Sequence, residues 1–437
     1  MQTIAAVSTP IGMGAIGIVR MSGDACLAIA LAHFRSHAMP SVPVPNYMYL
    51  GHFEGEGFCE QCLMVYFAAP RSYTGEDVVE FQIHGGPTVT DLVLRTLLQS
   101  GAAMAHAGEF TRRAYLNGKV TLSEAEGIAA VIGAESRAEL NAACQMMQGS
   151  LGARLAPTLA ALTSLIATLE AGLDYPDEMR EEIERDFEPS IRAIADDLSA
   201  LSATAADGKL VRHGISVALV GTPNAGKSSL LNCILHEERA IVTPIAGTTR
   251  DTLCESVSVG GVRLNLLDTA GLREADDLVE RMGVERAYRA ADRADAVVYL
   301  LDATRAERPD PALEQRFASK HLFIVYNKTD VVPAPNAEYP AISAKTGAGV
   351  DALLTSLAAI LRTDRAYGGL LCEDRHIEAV NRALTYVNRA AEAYRTMPLD
   401  CVLVDLSEAY RALGEVDGAT ATEQVLDSVF RTFCVGK

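Results

Sequence analysis

The eight residues Gly221-Thr222-Pro223-Asn224-Ala225-Gly226-Lys227-Ser228 decide the fold of the central part of the chain. They follow the apolar run 215–220 and precede the helix-like run 229–235, which is the strand–loop–helix context of a phosphate-binding loop. The glycines let backbone amides turn toward phosphate oxygens, Lys227 offers a positive charge, and the Ser228 hydroxyl can ligate Mg²⁺. The stretch therefore predicts a nucleotide-binding α/β domain.

Three further motifs follow strand-like runs in the same region. Asp268-Thr269-Ala270-Gly271 follows the run 262–267, where an aspartate can hold the hydration shell of Mg²⁺ and a glycine can approach the terminal phosphate. Asn327-Lys328-Thr329-Asp330 follows the run 322–326, and its aspartate can accept hydrogen bonds from N1 and N2 of guanine, a pair that adenine cannot donate. Ser343-Ala344-Lys345 follows another short strand-like run and would complete the base pocket. Each motif alone is compatible with a solvated turn, but their order at strand ends predicts a guanine-nucleotide site.

Length and composition indicate a folded protein of several domains. With 437 residues and about 150 residues per domain, we expect roughly three domains. We expect no apolar run of membrane-helix length, and the nine scattered cysteines favour reduced thiols, so the sequence predicts no membrane span and a cytoplasmic location. The close pair Cys59-Glu60-Gln61-Cys62 is a weak zinc or redox signal, and chance spacing explains it better.

The net charge of −18 bears on nucleic-acid partners. Tight binding to nucleic acid usually draws on a basic surface that neutralises phosphates, and none is evident in the sequence. If the protein acts on RNA, a local basic patch or a partner must therefore supply most of the phosphate contacts.

The first 119 residues have the pattern of an α+β domain. Strand-like runs alternate with glycine-containing turns, and the predicted strands are 3–7, 16–21, 62–68 and 78–84.

The remainder of the chain changes pattern twice. Residues 120–213 are rich in Ala and Leu at helical spacing, residues 214–362 alternate strands with helices, and residues 363–437 return to helical spacing. Helical sequence on both sides of one α/β domain predicts a discontinuous helical bundle with the nucleotide-binding domain inserted into it. The predicted fold class is thus multidomain α/β and α+β.

The nucleotide-binding motifs resemble the TRAFAC class of GTPases, which have a Ras-like P-loop domain. The resemblance implies that the stretch 243–251 is the first switch segment of the GTPase and that Thr249 is a second Mg²⁺ ligand beside Ser228. Leu272 stands where many of these GTPases carry a water-orienting glutamine. Similar GTPases use K⁺ in place of an arginine finger, and the matching positions here are Asn224, Thr243, Ile245 and Thr248. From the residues alone, Asn224 is equally well a turn residue.

The motifs and this resemblance together define a set of candidate GTP-binding residues. They are Asn224, Ala225, Gly226, Lys227, Ser228, Ser229, Thr243, Thr248, Thr249, Asp268, Thr269, Ala270, Gly271, Asn327, Lys328, Asp330, Ser343, Ala344 and Lys345.

Motifs along the whole chain are similar to the MnmE (TrmE) family of tRNA modification GTPases. The most specific are the stretch 108–119, which contains Gly108-Glu109-Phe110-Thr111 and Leu116-Asn117-Gly118-Lys119, and the stretch Cys434-Val435-Gly436-Lys437. Departures are modest: Met13 stands where relatives commonly carry a basic residue, and Pro244 interrupts the presumed K⁺ loop.

This resemblance implies a specific activity. Residues 1–119 would bind a tetrahydrofolate one-carbon derivative and mediate homodimer formation, and residues 214–362 would be the GTPase domain. The protein would form a heterotetramer with MnmG, a flavoprotein that carries FAD, and would bind tRNA mainly through this complex. The complex would add an aminomethyl or carboxymethylaminomethyl group to C5 of the wobble uridine of certain tRNAs.

The resemblance also assigns folate-binding and catalytic residues. The folate positions are Arg20, Glu80, Lys119 and Lys437, each of which is an ordinary solvated charge when considered alone. Glu280 matches the acid that orients the hydrolytic water, although by itself it is one acid among several at a helix start.

Cys434 is a second catalytic candidate. Its thiol could be reactive, but a simply buried cysteine is equally compatible with the sequence.

Two other classes of function compete with tRNA modification. A ribosome-assembly GTPase switch would share the phosphate loop and the K⁺ chemistry, but such proteins usually carry a basic RNA-binding module, which the charge of −18 disfavours. A scaffold with a degenerate nucleotide site is disfavoured because Lys227, Ser228, Thr249, Asp268 and Asp330 are all present.

Overall fold

The computed structural model describes residues 2–175, 186–236, 254–267, 288–361 and 369–436. These residues form two compact units. The first unit contains Met1–Ala129, Met146–Leu155 and Tyr410–Lys437, and the second contains Ala130–Gln145 and Ala156–Ala409.

A seven-stranded sheet is the centre of the first unit. Its strands follow the spatial order β3-β4-β5-β6-β2-β1-β7. They are β1 Ile4–Val7, β2 Ile16–Ser22, β3 Phe34–Arg35, β4 Met48–Gly55, β5 Phe58–Phe67, β6 Val78–His84 and β7 Ala103–Met104.

One face of this sheet is covered by two helices, α1 Cys26–His33 and α2 Pro87–Gln99. Alternate strand residues such as Val19, Met64 and Phe81 point toward these helices and form the core. The unit also contains helix α3, Glu109–Leu116, part of helix α4, Leu122–Gly133, and the late helix Glu423–Phe430.

All four strands predicted in the first 119 residues are present, but the sequence missed strands β3, β4 and β7 and the first four residues of β5. Cys59 and Cys62 both lie within β5, where Cys59 is exposed and Cys62 is buried. Residues three apart in a strand point to opposite faces, so this pair does not form one metal site. Within the described residues there is no cluster of three or more His, Cys, Asp or Glu side chains that could hold a metal ion.

A five-stranded sheet organises the nucleotide-binding part of the second unit. Its spatial order is β12-β11-β8-β10-β9, and β9 runs antiparallel to β10 while the other neighbouring pairs are parallel. The strands are β8 Ile215–Gly221, β9 Cys254–Val259, β10 Val262–Leu267, β11 Ala296–Asp302 and β12 His321–Asn327.

Helices α9 Lys227–His236, α10 Pro311–Arg316 and α11 Val350–Ala358 belong to this part of the second unit, and residues 288–293 are helical as well. The prediction of a short strand before Ser343 is wrong. It is reduced to a single bridge between Tyr326 and Ala341, because the chain turns away immediately after that residue.

Six further helices lie wholly or partly in the described residues of the second unit. The helices are α5 Arg137–Met147, α6 Ser150–Asp174, α7 Glu188–Ser202, α8 Ala205–His213, α12 Asp374–Ala393 and α13 Leu399–Asp417, with α5, α6 and α13 extending past the boundary of the unit.

Helices α7 and α12, which lie on opposite sides of the nucleotide-binding segment in the sequence, pack against each other. Their buried positions recur at helical spacing, for example Ile191, Ile194 and Leu198 in α7. Ser202 Oγ of α7 donates a hydrogen bond to Asn381 Oδ1 of α12 at 2.6 Å.

Residues 410–437, by contrast, belong to the same compact unit as the N-terminal sheet. The limits 1–119, 120–213, 214–362 and 363–437 stay predictions.

Helix α6 contradicts the expectation that no apolar run is long enough to span a membrane. Among the described residues, α6 is the one helix long and apolar enough to cross a membrane by length and composition, with a mean hydropathy of 1.3. That expectation was too strict. A single helix of this kind is weak evidence, because core helices of soluble proteins pass the same test, and it does not make a clear membrane span.

Candidate functional site

The phosphate-binding loop connects β8 to α9 at the carboxyl edge of the five-stranded sheet. Its turn requires positive φ angles at Asn224 (65°) and Gly226 (98°). A Cβ atom at Gly226 would lie 2.1 Å from Asn327 Nδ2, so only glycine fits there. Strand β8 and the buried Ala225 hold the loop at this edge, as the sequence predicted.

Lys227 is folded back onto the loop. Its Nζ donates hydrogen bonds to the carbonyl oxygens of Gly221 and Thr222, each at 2.9 Å. Burial lowers the pKa of Lys227, and the negative charge of Glu307 partly opposes this effect. The ammonium group is therefore held where a phosphate oxygen can replace the carbonyl partners.

The Asn327 side chain joins the phosphate loop to the base-side motifs. It is 2% exposed, its Nδ2 donates to Ala225 O at 2.8 Å, and its Oδ1 accepts from Ala344 N at 3.0 Å. Both polar atoms of this carboxamide thus have a partner, so it fixes the distance between the two halves of the site.

The carboxylate of Asp330 is held by the third motif. Ser343 Oγ donates to Asp330 Oδ1 at 2.7 Å, and Ser343 itself is buried. Neighbouring Lys328 has a φ of 65°, and its Nζ lies 2.6 Å from Asp302 Oδ2 at the end of β11. The structure therefore brings the predicted residues of the Asn327 and Ser343 motifs together at one edge of the sheet.

Several candidate residues lie outside the described part of the chain. They are Thr243, Ile245, Thr248, Thr249, Asp268, Thr269, Ala270, Gly271, Leu272, Glu280 and Lys437.

One contact to the phosphate loop was missed from the sequence. Thr222 Oγ1 lies 2.9 and 3.1 Å from the two carboxylate oxygens of Glu307. Glu307 also accepts a hydrogen bond from the backbone nitrogen of Asp302 at 3.0 Å. Nothing in the sequence pattern pointed to an acid at position 307 as a partner of the loop.

A second candidate site lies on the face of the first unit's sheet that α1 and α2 leave free. Arg20 of β2 is directly opposite Glu80 of β6, and Arg20 Nε lies 2.6 Å from Glu80 Oε1. The guanidinium group is 5.6 Å from the ring centre of Tyr73 and 5.7 Å from that of Phe110. Its Nη1 also donates to Gly436 O at 3.5 Å, which brings the residue before Lys437 to this pair.

Lys119 has a different environment. Its Nζ donates to Pro70 O at 3.0 Å rather than facing the Arg20–Glu80 pair. The structure thus brings together two of the four predicted folate positions.

Glu76 lies in the bend just before β6 and was not among the predicted site residues. Its Oε2 accepts hydrogen bonds from Ser22 Oγ at 2.8 Å and from Arg113 Nη1 at 2.9 Å. Its Oε1 is buried and has no hydrogen-bond partner among the described residues. A buried acceptor without a partner calls for a donor from outside the chain.

Cys434 is exposed, and its carbonyl oxygen accepts a long hydrogen bond of 3.5 Å from Gly108 N. The adjacent Val435 forms a bridge with Ala107. These contacts hold the backbone of residues 434 and 435 beside the start of α3, and the catalytic role of Cys434 stays a prediction.

Comparison with known proteins shows similarity over essentially the whole chain. Residues 3–119 match the family model "GTP-binding protein TrmE N-terminus", and residues 122–434 match "MnmE helical domain". The tRNA modification GTPase MnmE of a Thermus thermophilus strain is 41% identical over 444 residues, with 99% of each chain covered. The tRNA modification GTPase MnmE of Shouchella clausii is 37% identical over 457 residues, with both chains covered completely.

Among solved structures, Aquifex aeolicus Era is 26% identical, with 42% of this chain and 68% of its own covered and a TM-score of 0.27. Family membership follows instead from the two family models and the full-length relatives. The chain therefore belongs to the MnmE (TrmE) family of tRNA modification GTPases, and it is an enzyme that hydrolyses GTP.

Proposed function

We propose that GTP binds at the carboxyl edge of the five-stranded sheet. Its phosphates would lie on the loop 221–228, and its base would lie between the Asn327 and Ser343 motifs. The observation that carries this proposal is the buried Asn327 carboxamide, which bonds the phosphate loop and Ala344 simultaneously. Asp330, oriented by Ser343, would accept the two hydrogen bonds that only guanine donates, and Lys328 and Lys345 would pack beside the base.

Mg²⁺ would be held by Ser228 and Thr249, with Asp268 binding its hydration shell. Ser228 is exposed at the first turn of α9, so its hydroxyl fits this role. The stretch Thr269-Ala270-Gly271 and the backbone of Ser229 would complete the phosphate contacts. When bound, Mg²⁺ would supply positive charge to the β and γ phosphates.

K⁺ would be held by Asn224 together with Thr243, Ile245 and Thr248. Asn224 supports this proposal because its left-handed backbone leaves the side chain exposed at the loop. A bound K⁺ would supply the positive charge that an arginine provides in other GTPases. Since Leu272 cannot orient water, Glu280 would align the attacking water.

Replacing K⁺ by Na⁺ at constant ionic strength should lower kcat for GTP hydrolysis by about tenfold or more. Glu280→Ala should lower kcat by about 100-fold with little change in KM, because it removes a group that acts on the water. Steady-state phosphate release measures both. Equal turnover in K⁺ and Na⁺, or full activity of Glu280→Ala, contradicts this mechanism.

The free face of the first unit's sheet would bind a tetrahydrofolate one-carbon derivative. Arg20 and Glu80 would meet polar groups of the pterin, Tyr73 would lie against it, and Lys119 and Lys437 would meet its carboxylates. The orphaned Glu76 Oε1 supports the fit, because a carboxylate accepts hydrogen bonds from the amino and ring nitrogens of a pterin. When bound, the derivative would supply the one-carbon unit.

The biological role would be modification of the wobble uridine together with MnmG. In a heterotetramer with this FAD-containing flavoprotein, the homodimer would help add an aminomethyl or carboxymethylaminomethyl group to C5. Cys434 would take part in this chemistry. The acidic chain would contact tRNA mainly through the complex, in the cytoplasm.

The test is wobble-uridine analysis of tRNA from a deletion strain. We expect C5 modification to disappear and to return with the wild-type gene but not with a Lys227→Ala variant. In vitro, the purified protein, MnmG, GTP and a tetrahydrofolate derivative should together modify tRNA. Unchanged modification in the deletion strain would instead favour the ribosome-assembly alternative.

A further inference from the structure

Glu307 contacts the phosphate loop from outside every predicted motif. Both of its carboxylate oxygens lie within hydrogen-bond distance of Thr222 Oγ1, at 2.9 and 3.1 Å, so the hydroxyl donates and the carboxylate accepts. Thr222 is the second residue of the loop. A hydrogen bond to an ionised acceptor is stronger than one between neutral groups.

The glutamate is itself held in place by two neighbouring strands. Its Oε2 accepts from Asp302 N at the end of β11, at 3.0 Å. Its backbone carbonyl accepts from Tyr326 Oη of β12 at 2.8 Å. The preceding residue, Ala306, has a φ of 49°, so the chain turns sharply just before Glu307. Because both contacts come from strands of the sheet, Glu307 is a fixed support rather than a mobile surface acid.

Thr222 in turn shapes the part of the loop that meets phosphate. Its carbonyl oxygen accepts from Lys227 Nζ at 2.9 Å and from Ala225 N at 3.2 Å. A Thr222 residue free to rotate would therefore loosen both the turn and the position of the lysine. Glu307 is also close enough for its charge to act on Lys227.

The loop is thus hydrogen-bonded to the Asn327 side chain at Ala225 and to the Glu307 side chain at Thr222. We infer that Glu307 is a positioning residue that holds the phosphate loop in its binding conformation through the Thr222 hydroxyl. This inference rests on the proposed assignment of the GTP site and goes beyond it. Loss of the hydrogen bond between Thr222 and Glu307 should therefore weaken the contacts to the β and γ phosphates and leave the contacts to the base unchanged.

The experiment compares Thr222→Val, Glu307→Ala and the double variant of the full-length protein. Thr222→Val keeps the side-chain shape and removes only the hydroxyl. Kd values for GDP and GMP are measured by competition with a fluorescent GDP analogue, and kcat and KM for GTP by phosphate release. Glu314→Gln, an acid in helix α10 of the same domain, is the matched control.

We expect each single variant to raise Kd for GDP and KM for GTP by about fivefold to tenfold, and Kd for GMP by less than about twofold. The double variant should be no weaker than the weaker single variant, because both changes remove the same bond. Glu314→Gln should bind like the wild type.

Two results would overturn the inference: equal losses for GDP and GMP, or single effects that multiply in the double variant. Thermal melting identifies a Glu307→Ala protein that fails to fold, and Thr222→Val then decides the question alone. Lys227→Ala separates the inference from the site assignment. If Lys227→Ala binds GDP normally, the proposed site is wrong, whereas if it loses GDP while Thr222→Val does not, only the role of Glu307 is wrong.

Discussion

At the scale of single residues, the proposed preference for guanine rests on the geometry of Asp330. Ser343 Oγ holds one of its carboxylate oxygens at 2.7 Å, so the carboxylate is oriented before any base binds. Asp330→Asn should lower the affinity for GTP by about 100-fold, because two hydrogen bonds to a charged acceptor are weakened. The variant should gain affinity for XTP, since xanthine carries a carbonyl where guanine carries its 2-amino group, and an amide can donate to that carbonyl.

Competition binding with GTP, XTP and ATP measures this change. Glu338→Gln, an exposed acid between the two base-side motifs, is the control and should keep the preference for GTP. An Asp330→Asn protein that still prefers GTP to XTP would mean that the base lies elsewhere.

The sequence was most informative at this scale where one residue type has one chemical use. The placement of Lys227, Asn327 and Asp330 at one edge of the sheet could be predicted because the motifs that contain them follow recognisable strands, and their roles toward phosphate and guanine stay predictions. Glu307 and Glu76 could not be predicted, because an acid contributes through its neighbours in space and the sequence records only its neighbours along the chain.

At the scale of secondary-structure elements, Glu188 joins α7 to α12. Its Oε1 lies 2.6 Å from Arg192 of the same helix, and its Oε2 lies 2.5 Å from Arg395, just beyond the end of α12. Hydrogen bonds from Arg192 and then Arg395 lower the pKa of this carboxyl below its ordinary value of 4.5. A carboxyl with a lowered pKa stabilises the fold above its ordinary pKa, and that stabilisation is lost as the pH falls through the lowered pKa.

Glu188→Gln should therefore lower Tm by a constant amount above about pH 5, and the difference from the wild type should shrink as the pH falls below about 4. Melting curves recorded by circular dichroism across this pH range measure the effect. Glu392→Gln changes an exposed acid of α12 and should show no such pH-dependent difference. A Tm difference that is the same at every pH would show that the ion pairs do not stabilise the packing of α7 on α12.

Elements were predictable where hydrophobic periodicity was strong. The buried stripe of α7 and the fully buried strand β11 follow directly from their sequences. Strand β4 was missed because Met48 and Leu50 are apolar but exposed, so the run lacks the alternation of a half-buried strand. The single bridge at Ala341 shows the opposite error, where a short apolar run was too brief to pair.

At the scale of the whole molecule, the face of the seven-stranded sheet opposite α1 and α2 is where we place the proposed homodimer contact. Leu50 and Ile16 are each 60% exposed there, and Met48 is 47% exposed. Met48 belongs to the same cross-strand row as Glu80 and Arg20, so the dimer surface would adjoin the proposed folate site. Apolar side chains exposed together commonly mark an interface between subunits.

Leu50→Glu should weaken the homodimer by at least about tenfold, since it places a charge in an apolar contact. Light scattering after size-exclusion chromatography at several concentrations measures the change. Val331→Glu, which alters a similarly exposed apolar residue of the nucleotide-binding domain, should leave the mass unchanged. A Leu50→Glu protein with the wild-type mass at every concentration would place the dimer contact elsewhere.

The contact between Gly436 and the start of the chain cannot form until residue 436 has been synthesised, so it sets when the proposed folate site can be completed. Ser8 Oγ donates to Gly436 O across 428 residues of sequence, and a Cβ at Gly436 would lie 2.1 Å from Val7 O. Contacts of such long separation form late. The ribosome must thus have made residue 436 before Arg20 can meet Gly436 O, so a nascent chain that already contains the nucleotide-binding domain could bind GTP well before the proposed folate site is complete.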